Sequence, residues 1–121
     1  MSDCLFCKIV QKTIPAKVVF EDDRTLAFDD INPQAPIHTL IIPKEHVAAL
    51  QDCREQDANL LTHLLLTCTN IAKQKGLAGS GYRIVTNTGR DAGQTVFHLH
   101  FHLLGPHHFG ELLARRRIWR V

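Results

Sequence analysis

The sequence predicts an α+β fold: a five-stranded, mainly antiparallel sheet with one long helix and a short N-terminal helix. Several short β-rich runs are separated by turns or loops, which favours hairpin connections and antiparallel pairing. A single long segment carries apolar residues at helical spacing. The chain has 121 residues, of which 45% are hydrophobic, so residues 1–121 suffice for one packed domain.

The first third of the chain predicts the short helix and then three strands. Residues 4–10 place apolar side chains at helical spacing, and Pro15 ends that segment. Val18–Glu21 and Thr25–Asp29 flank an acidic turn, which predicts a hairpin. A loop with two prolines follows, and the β-branched run at 38–43 predicts a central strand.

The long helix is predicted to begin after Asp52, which is a good N-cap with Glu55 at the third helical position. Gly76 suits the position just beyond its C-terminal end. A further strand is predicted at 82–87 and a flexible loop at 88–93. The helix carries one apolar stripe, formed by Leu60, Leu61, Leu64, Leu65, Cys68, Ile71 and Ala72.

The last predicted strand, at 94–104, alternates apolar and polar residues strictly. Side chains two positions apart on a strand share a face, about 6.6 Å from one to the next. One face should therefore carry three imidazoles, those of His98, His100 and His102. The other face should enter the core with Phe97, Leu99, Phe101 and Leu103.

The row of histidines has three interpretations from the residues alone. The side chains are exposed sheet residues, or they bind a metal, or they perform nucleophilic and acid–base catalysis on a phosphate ester or amide. Two imidazolium charges about 6.6 Å apart repel by roughly 2.5 kcal/mol at an effective dielectric of about 20. The row should therefore be mostly neutral at pH 7, and a neutral ring has a lone pair that can attack phosphorus.

Composition excludes several classes of protein. The formal net charge of +2 argues against a dedicated nucleic-acid binder, although Arg115, Arg116, Arg117 and Arg120 cluster near the end. No apolar run approaches the length of a membrane span, and the first residues do not resemble a secretory signal. We therefore expect a cytoplasmic protein that has no membrane partner and keeps its four cysteines reduced.

The segment from His98 to Leu104 resembles the histidine triad motif, His-x-His-x-His followed by two apolar residues, of the HIT family. The similarity covers roughly residues 4–105 and points to the histidine triad nucleotide-binding protein branch. The other matching segments are 14–17, 28–31, 33–36, 38–44, Asn87 and Gly93 with Gln94.

This resemblance implies a purine nucleotide-binding homodimer in which two five-stranded sheets join, and which hydrolyses nucleoside 5′-phosphoramidates such as AMP amides. His100 corresponds to the family's nucleophile, which forms an adenylyl-histidine intermediate. His98 and His102 would contact the phosphate or pass protons, and His38 corresponds to the fourth histidine, a proton relay. Catalysis would require no cofactor.

The resemblance also assigns nucleotide contacts. Asp30 matches the acidic residue that binds both ribose hydroxyls, although as a residue it is equally a loop cap before Pro33. Asn87 and Thr95 match positions that touch the phosphate, and Gly93 and Gln94 lie in the same loop. The apolar base pocket corresponds to Leu5, Phe6, Ile9, Phe28 and Ile31, of which Phe28 could equally be ordinary core.

Some bacterial members bind a structural zinc through a cysteine pair and two histidines. The matching residues are Cys4, Cys7, His46 and His98, and two sulfurs with two nitrogens suit tetrahedral zinc. The alternative is that Cys4 and Cys7 are small apolar residues in a turn. Cys53 and Cys68, on the predicted helix, are most simply packing residues.

Two other functions stay open. The same histidines would serve a dinucleoside polyphosphate hydrolase, and a non-catalytic nucleotide-binding or zinc-stabilised interaction protein would use only the pockets. Residues 107–121 form a longer and more basic tail than the family's, predicted to be an arm on the other subunit with Trp119 as its anchor.

Overall fold

The computed structural model describes residues 3–107 and confirms the α+β fold, with five antiparallel strands in the order β1-β2-β3-β5-β4. The predicted arm therefore lies outside the described residues, except for His107. No helix in the described part of the chain is long and apolar enough to cross a membrane. The elements are α1 (Leu5–Val10), β1 (Val18–Glu21), β2 (Thr25–Asp29), β3 (Ile37–Pro43), α2 (Ala58–Gln74), β4 (Arg83–Val85) and β5 (Phe101–Gly105).

The sheet lies between the two helices. In the antiparallel register Leu40 of β3 faces His102 of β5, and Ile41 faces Phe101. Neighbouring positions on a strand point to opposite faces. The face with Ile41 packs on α2, and the face with Leu40 packs on α1 together with Phe6 and Ile9. His38 and His102 consequently lie on the α1 side of the sheet.

The predicted start of the long helix is wrong. Two short 3₁₀ turns precede α2, which begins at Ala58 rather than after Asp52. The carboxylate of Asp57 accepts a hydrogen bond from the backbone N–H of Arg54 at 2.9 Å and thereby supports the second of these turns. Leu65 is also misplaced by the prediction: it lies on the flank of the helix and is 43% exposed.

The predicted end of the helix is confirmed. Gly76 has φ +77°, a left-handed conformation that a residue with a side chain adopts only at a cost. The backbone N–H of Leu77 donates to the carbonyl of Ala72 at 2.8 Å, and that of Gly76 to Lys73 at 3.1 Å. These two bonds satisfy the carbonyls of Ala72 and Lys73 in the last turn of α2.

The histidine segment is a regular strand only from Phe101 onward, so the prediction of one strand over 94–104 is wrong in its first half. The earlier part is held by other contacts: Leu99 donates its N–H to the carbonyl of Val47, and the Thr86 hydroxyl donates to the His100 carbonyl at 2.8 Å. The alternation nevertheless persists, since Leu99 is buried on the α2 side. Phe97, at 49% exposure, does not enter the core.

Candidate active site

Four histidines meet on the α1 side of the sheet. His38 comes from β3, His102 from β5, and His98 and His100 from the irregular segment before β5. All four are buried, which excludes the interpretation of exposed sheet residues. The ring centroids of His100 and His102 are 5.1 Å apart, and so are those of His38 and His102.

The hydrogen bond of His100 fixes its protonation pattern. Its Nδ1 lies 2.7 Å from the backbone carbonyl of His98, so Nδ1 carries the proton and donates it. In the neutral ring Nε2 then has the lone pair. This buried Nε2 has no hydrogen-bond partner among residues 3–107. His100 therefore presents a nucleophilic nitrogen with no competing contact in this part of the protein.

His38 and His102 form a directional pair. The backbone N–H of Gln34 donates to Nδ1 of His38 at 3.1 Å, so the ring proton of neutral His38 is on Nε2. That Nε2 donates to Nδ1 of His102 at 2.8 Å, which places the proton of His102 on its own Nε2. Within the described chain no group accepts from this N–H. A lone pair on His100 thus stands beside an N–H donor on His102.

Burial keeps the row neutral. Desolvation is the largest cause that lowers the pKa of His100 and His38, and it lowers the pKa of His102 to about 3. The repulsion between neighbouring rings, on which the sequence argument rested, acts in the same direction for His102 but is the smaller cause. The carboxylate of Asp30 opposes burial and raises the pKa of His38 and His100.

His98 differs from the other two triad histidines because both of its ring nitrogens face protein groups. Its Nε2–H donates to the carbonyl of Pro43 at 2.8 Å, so Nδ1 carries the lone pair. Nδ1 lies 3.4 Å from Sγ of Cys4, 3.5 Å from Sγ of Cys7 and 3.2 Å from Nδ1 of His46. Burial lowers the pKa of His98 to about 4.

Four atoms fit the donor set of a structural zinc site: Sγ of Cys4, Sγ of Cys7, Nδ1 of His46 and Nδ1 of His98. Their mutual distances are all within 4.8 Å, and Cys7 Sγ lies 3.3 Å from His46 Nδ1. Ordinary Zn–N and Zn–S lengths in a tetrahedron give about 3.3 Å between two nitrogens and about 3.6 Å between nitrogen and sulfur. The four N–N and N–S distances given above agree with these values within about 0.3 Å. The bond from His98 to Pro43 is the kind of outer contact that would orient a metal-binding imidazole.

An apolar pocket of about 280 Å³ adjoins the histidines. It brings together all five residues predicted for the base pocket, with Ile31 90% exposed at the rim. Phe6 joins the pocket to the row, because its ring lies 5.1 Å from that of His100 and 5.4 Å from that of Phe28. Phe28 is both core and pocket wall. The full lining is Leu5, Phe6, Ile9, Ile14, Pro15, Ala16, Phe28, Asp29, Asp30, Ile31, Asn32, Leu40 and Val96.

Asp30 stands between the pocket and the histidines. Its Oδ1 accepts the N–H of Asn32 at 2.9 Å, so it is indeed a loop cap. Its Oδ2 lies 3.6 Å from Nε2 of His38. Two groups beside Asp30 were not predicted from the sequence: the backbone N–H of Gln34 and Leu40, which is one of several unpredicted wall residues. Alternation along β3 would have placed Leu40 on the face of His38, but no sequence signal indicates the Gln34 contact.

The residues predicted to contact the phosphate, in and near the loop before the histidines, differ in burial. Gln94 is buried and its side-chain amide bonds to the backbone, donating to Ala48 and Val96 and accepting from Gly89 at 2.8 Å. It therefore fastens the loop. Thr95 is exposed, and Asn87 and Gly93 are half-buried, so their contacts with a phosphate remain predictions.

Comparisons with known proteins extend over most of the chain. Residues 11–109 match the HIT domain. An uncharacterised HIT-like protein of Synechococcus elongatus is 54% identical over 103 residues, 85% of this chain and 90% of that protein. The purine nucleoside phosphoramidase of Escherichia coli K12 is 40% identical over 114 residues, 94% of this chain and 96% of that one. A HIT family hydrolase from Clostridium thermocellum superposes with a TM-score of 0.90 at 45% identity, covering 94% and 99% of the two chains.

Proposed function

The chain belongs to the HIT family, and we propose that it hydrolyses nucleoside 5′-phosphoramidates, such as AMP amides, through a nucleotidylated His100. The observation that carries the proposal is the buried lone pair on His100 Nε2, set between an N–H donor on His102 and an apolar pocket. The Escherichia coli relative named purine nucleoside phosphoramidase supports the same reaction class.

In the proposed complex the purine occupies the apolar pocket, because aromatic and aliphatic walls suit a flat, weakly polar ring. The ribose hydroxyls donate to the Asp30 carboxylate at the mouth of the pocket. The α-phosphate then lies near Nε2 of His100, since Phe6 contacts both the pocket and that ring. Asn87 and Thr95 contact the phosphate oxygens.

The first step transfers the nucleotidyl group to the protein. Nε2 of His100 attacks the α-phosphorus, an N–P bond forms, and the bond to the leaving amine breaks. The departing nitrogen takes a proton from Nε2 of His102. The pair of His38 and His102 is neutral in the empty protein and takes up this proton when the anionic substrate favours its charged form.

The second step returns the protein to its starting state. Water attacks the phosphorus, the bond to His100 breaks, and AMP leaves. The pair of His38 and His102 accepts the proton of the attacking water and releases it to solvent as AMP leaves, which restores the neutral pair. His98 takes no part in proton transfer, because both of its ring nitrogens face other groups.

We further propose that Cys4, Cys7, His46 and His98 hold a structural zinc. The ion would tie α1, which carries pocket residues, to the segment that carries the nucleophile, and it supplies no chemistry to the reaction. A site with two thiolates requires reduced cysteines, which supports a cytoplasmic location.

We also propose a homodimer. In the described part of the chain β4 pairs only with β5, so its other edge can join a second sheet. Sedimentation analysis should find a species of twice the chain mass, and a stable monomer would contradict the proposal.

Steady-state rates decide between the candidate reactions. Adenosine 5′-phosphoramidate should be hydrolysed, and diadenosine tetraphosphate should be at least tenfold poorer as a substrate. The reverse order would favour the dinucleoside polyphosphate hydrolase. His100→Gly should lose at least a thousandfold in kcat while it still binds AMP, since only the nucleophile is removed. The control is His63→Gln. His63 bonds to Asp22 on the far side of the sheet, so this substitution should leave kcat unchanged.

A further inference from the structure

Asp30 lies against the pair of rings that handles the proton. Its Oδ2 is 3.6 Å from Nε2 of His38, the nitrogen that donates to His102 at 2.8 Å. The side chain of His38 is fully buried and that of Asp30 nearly so. One ligand atom from each of the three side chains lies within 4.8 Å of the other two. A carboxylate, an imidazole and a second imidazole therefore form one contiguous buried group.

The hydrogen bonds of this group limit how many protons it holds. Nδ1 of His38 receives the N–H of Gln34, one proton lies between the two rings, and one lies on Nε2 of His102. The four ring nitrogens thus accommodate two protons while both contacts are kept. A third proton, which makes the pair an acid, must break one of them and must also place a positive charge in a buried site. That charge needs a nearby anion.

We propose that Asp30 is a positioning residue for proton transfer: its carboxylate stabilises the positive charge that the His38–His102 pair gains before it protonates the leaving group. This inference rests on the proposed function for its substrate. The proton leaves Nε2 of His102 for the departing nitrogen, and the pair returns to its two-proton form. The carboxylate that binds the ribose hydroxyls also controls the acid, so nucleotide binding and proton delivery share one group.

Other charges near the pair act less directly. Asp29 raises the pKa of His38, but less than Asp30 does, and its Oδ1 accepts the Thr39 hydroxyl at 3.0 Å. Lys17 and Lys75 line the cavity behind His38. His100 faces His102 and lowers its pKa. Asp29→Asn is consequently the matched control. It removes the same charge one residue away, from a carboxylate that does not closely approach Nε2 of His38.

The direct test is ¹⁵N NMR of the imidazole nitrogens of His38 and His102, titrated with and without saturating AMP. Asp30→Asn should lower the pKa of the pair by about one unit or more, as loss of an opposite charge within about 4–6 Å does. Asp29→Asn should lower it less. Equal behaviour of wild type and Asp30→Asn, including no titration in either, would overturn the proposal. A shift in the protein without AMP, together with no turnover of phosphoramidates, would support Asp30 and reject the proposed function.

Kinetics separate proton control from ribose binding. The substrate is 2′,3′-dideoxyadenosine 5′-phosphoramidate, which has no ribose hydroxyls for Asp30 to bind. An acid must be protonated to act, so kcat falls as pH rises through its pKa. With this substrate Asp30→Asn should move the alkaline limb of kcat down by about one pH unit or more. Identical kcat profiles for both proteins would mean that Asp30 only binds ribose, and the proposal would be wrong.

Discussion

The buried, neutral state of His102 should make the stability of the protein depend on pH in a defined way. Its pKa is about 3 in the folded protein and 6.5 in an unfolded chain. Because the folded value is the lower one, the unfolded state binds the extra proton between these limits. The free energy of unfolding is therefore undiminished above about pH 6.5 and falls as the pH decreases toward about 3.

The size of this effect follows from linkage. At pH 5 the unfolded side chain is about 1.5 pH units below its pKa while the folded ring is still neutral, and about 1.36 kcal/mol per unit gives about 2 kcal/mol. The informative quantity is the difference between wild type and His102→Gln, in which contributions from unchanged groups largely cancel. That difference should decrease by about 2 kcal/mol between about pH 7.5 and about pH 5.

The assay is urea unfolding followed by far-ultraviolet circular dichroism, at one protein concentration so that any association is held constant. A repeat in about 0.5 M NaCl is the control, because salt screens surface charges but leaves the desolvation of a buried ring in place. Parallel stability curves for the two proteins would mean that His102 is not held neutral by burial. If the predicted difference between the two proteins appears only at low salt, the effect comes from surface charge.

Two further predictions concern the metal and the end of α2. Replacing Cys4 and Cys7 by serine should remove about one zinc per chain, measured by mass spectrometry of the metal, whereas Cys53→Ser should retain it. Zinc that survives in the double variant would place the metal elsewhere. Gly76→Ala should cost about 1 kcal/mol in urea unfolding because φ is +77°, whereas Gly79→Ala, which has open space and no positive φ, should cost much less. Equal costs would contradict the role of the left-handed conformation.

Much of the fold could be predicted from local residue patterns. The two hairpin strands have the predicted bounds, since two short apolar runs around an acidic turn leave little choice. Gly76 ends α2 because the left-handed backbone there favours glycine. The start of α2 could not be predicted, because Asp52 is a good N-cap by residue type but is followed by two 3₁₀ turns, and the Asp57 carboxylate at the actual start bonds to Arg54 rather than to the helix.

The candidate site could be predicted only in part from the sequence. The spacing of His98, His100 and His102 placed them on one side, and the family resemblance named a base pocket whose residues do lie together. The sequence could not separate their roles, because these depend on which acceptor each ring meets. Backbone carbonyls of Pro43 and His98, and the N–H of Gln34, decide the tautomers. Such groups carry no residue-specific signal in a sequence.

Trapping the covalent protein shows whether Nε2 of His100 is the nucleophile. The protein is mixed with adenosine 5′-phosphoramidate, quenched within one turnover under conditions that keep phosphohistidine bonds intact, and analysed by peptide mass spectrometry. We expect one adenylyl group per modified chain, located on His100, and none in His100→Gly. Adenylation of His98 or His102 instead, or full turnover by His100→Gly, would show that His100 is not the nucleophile.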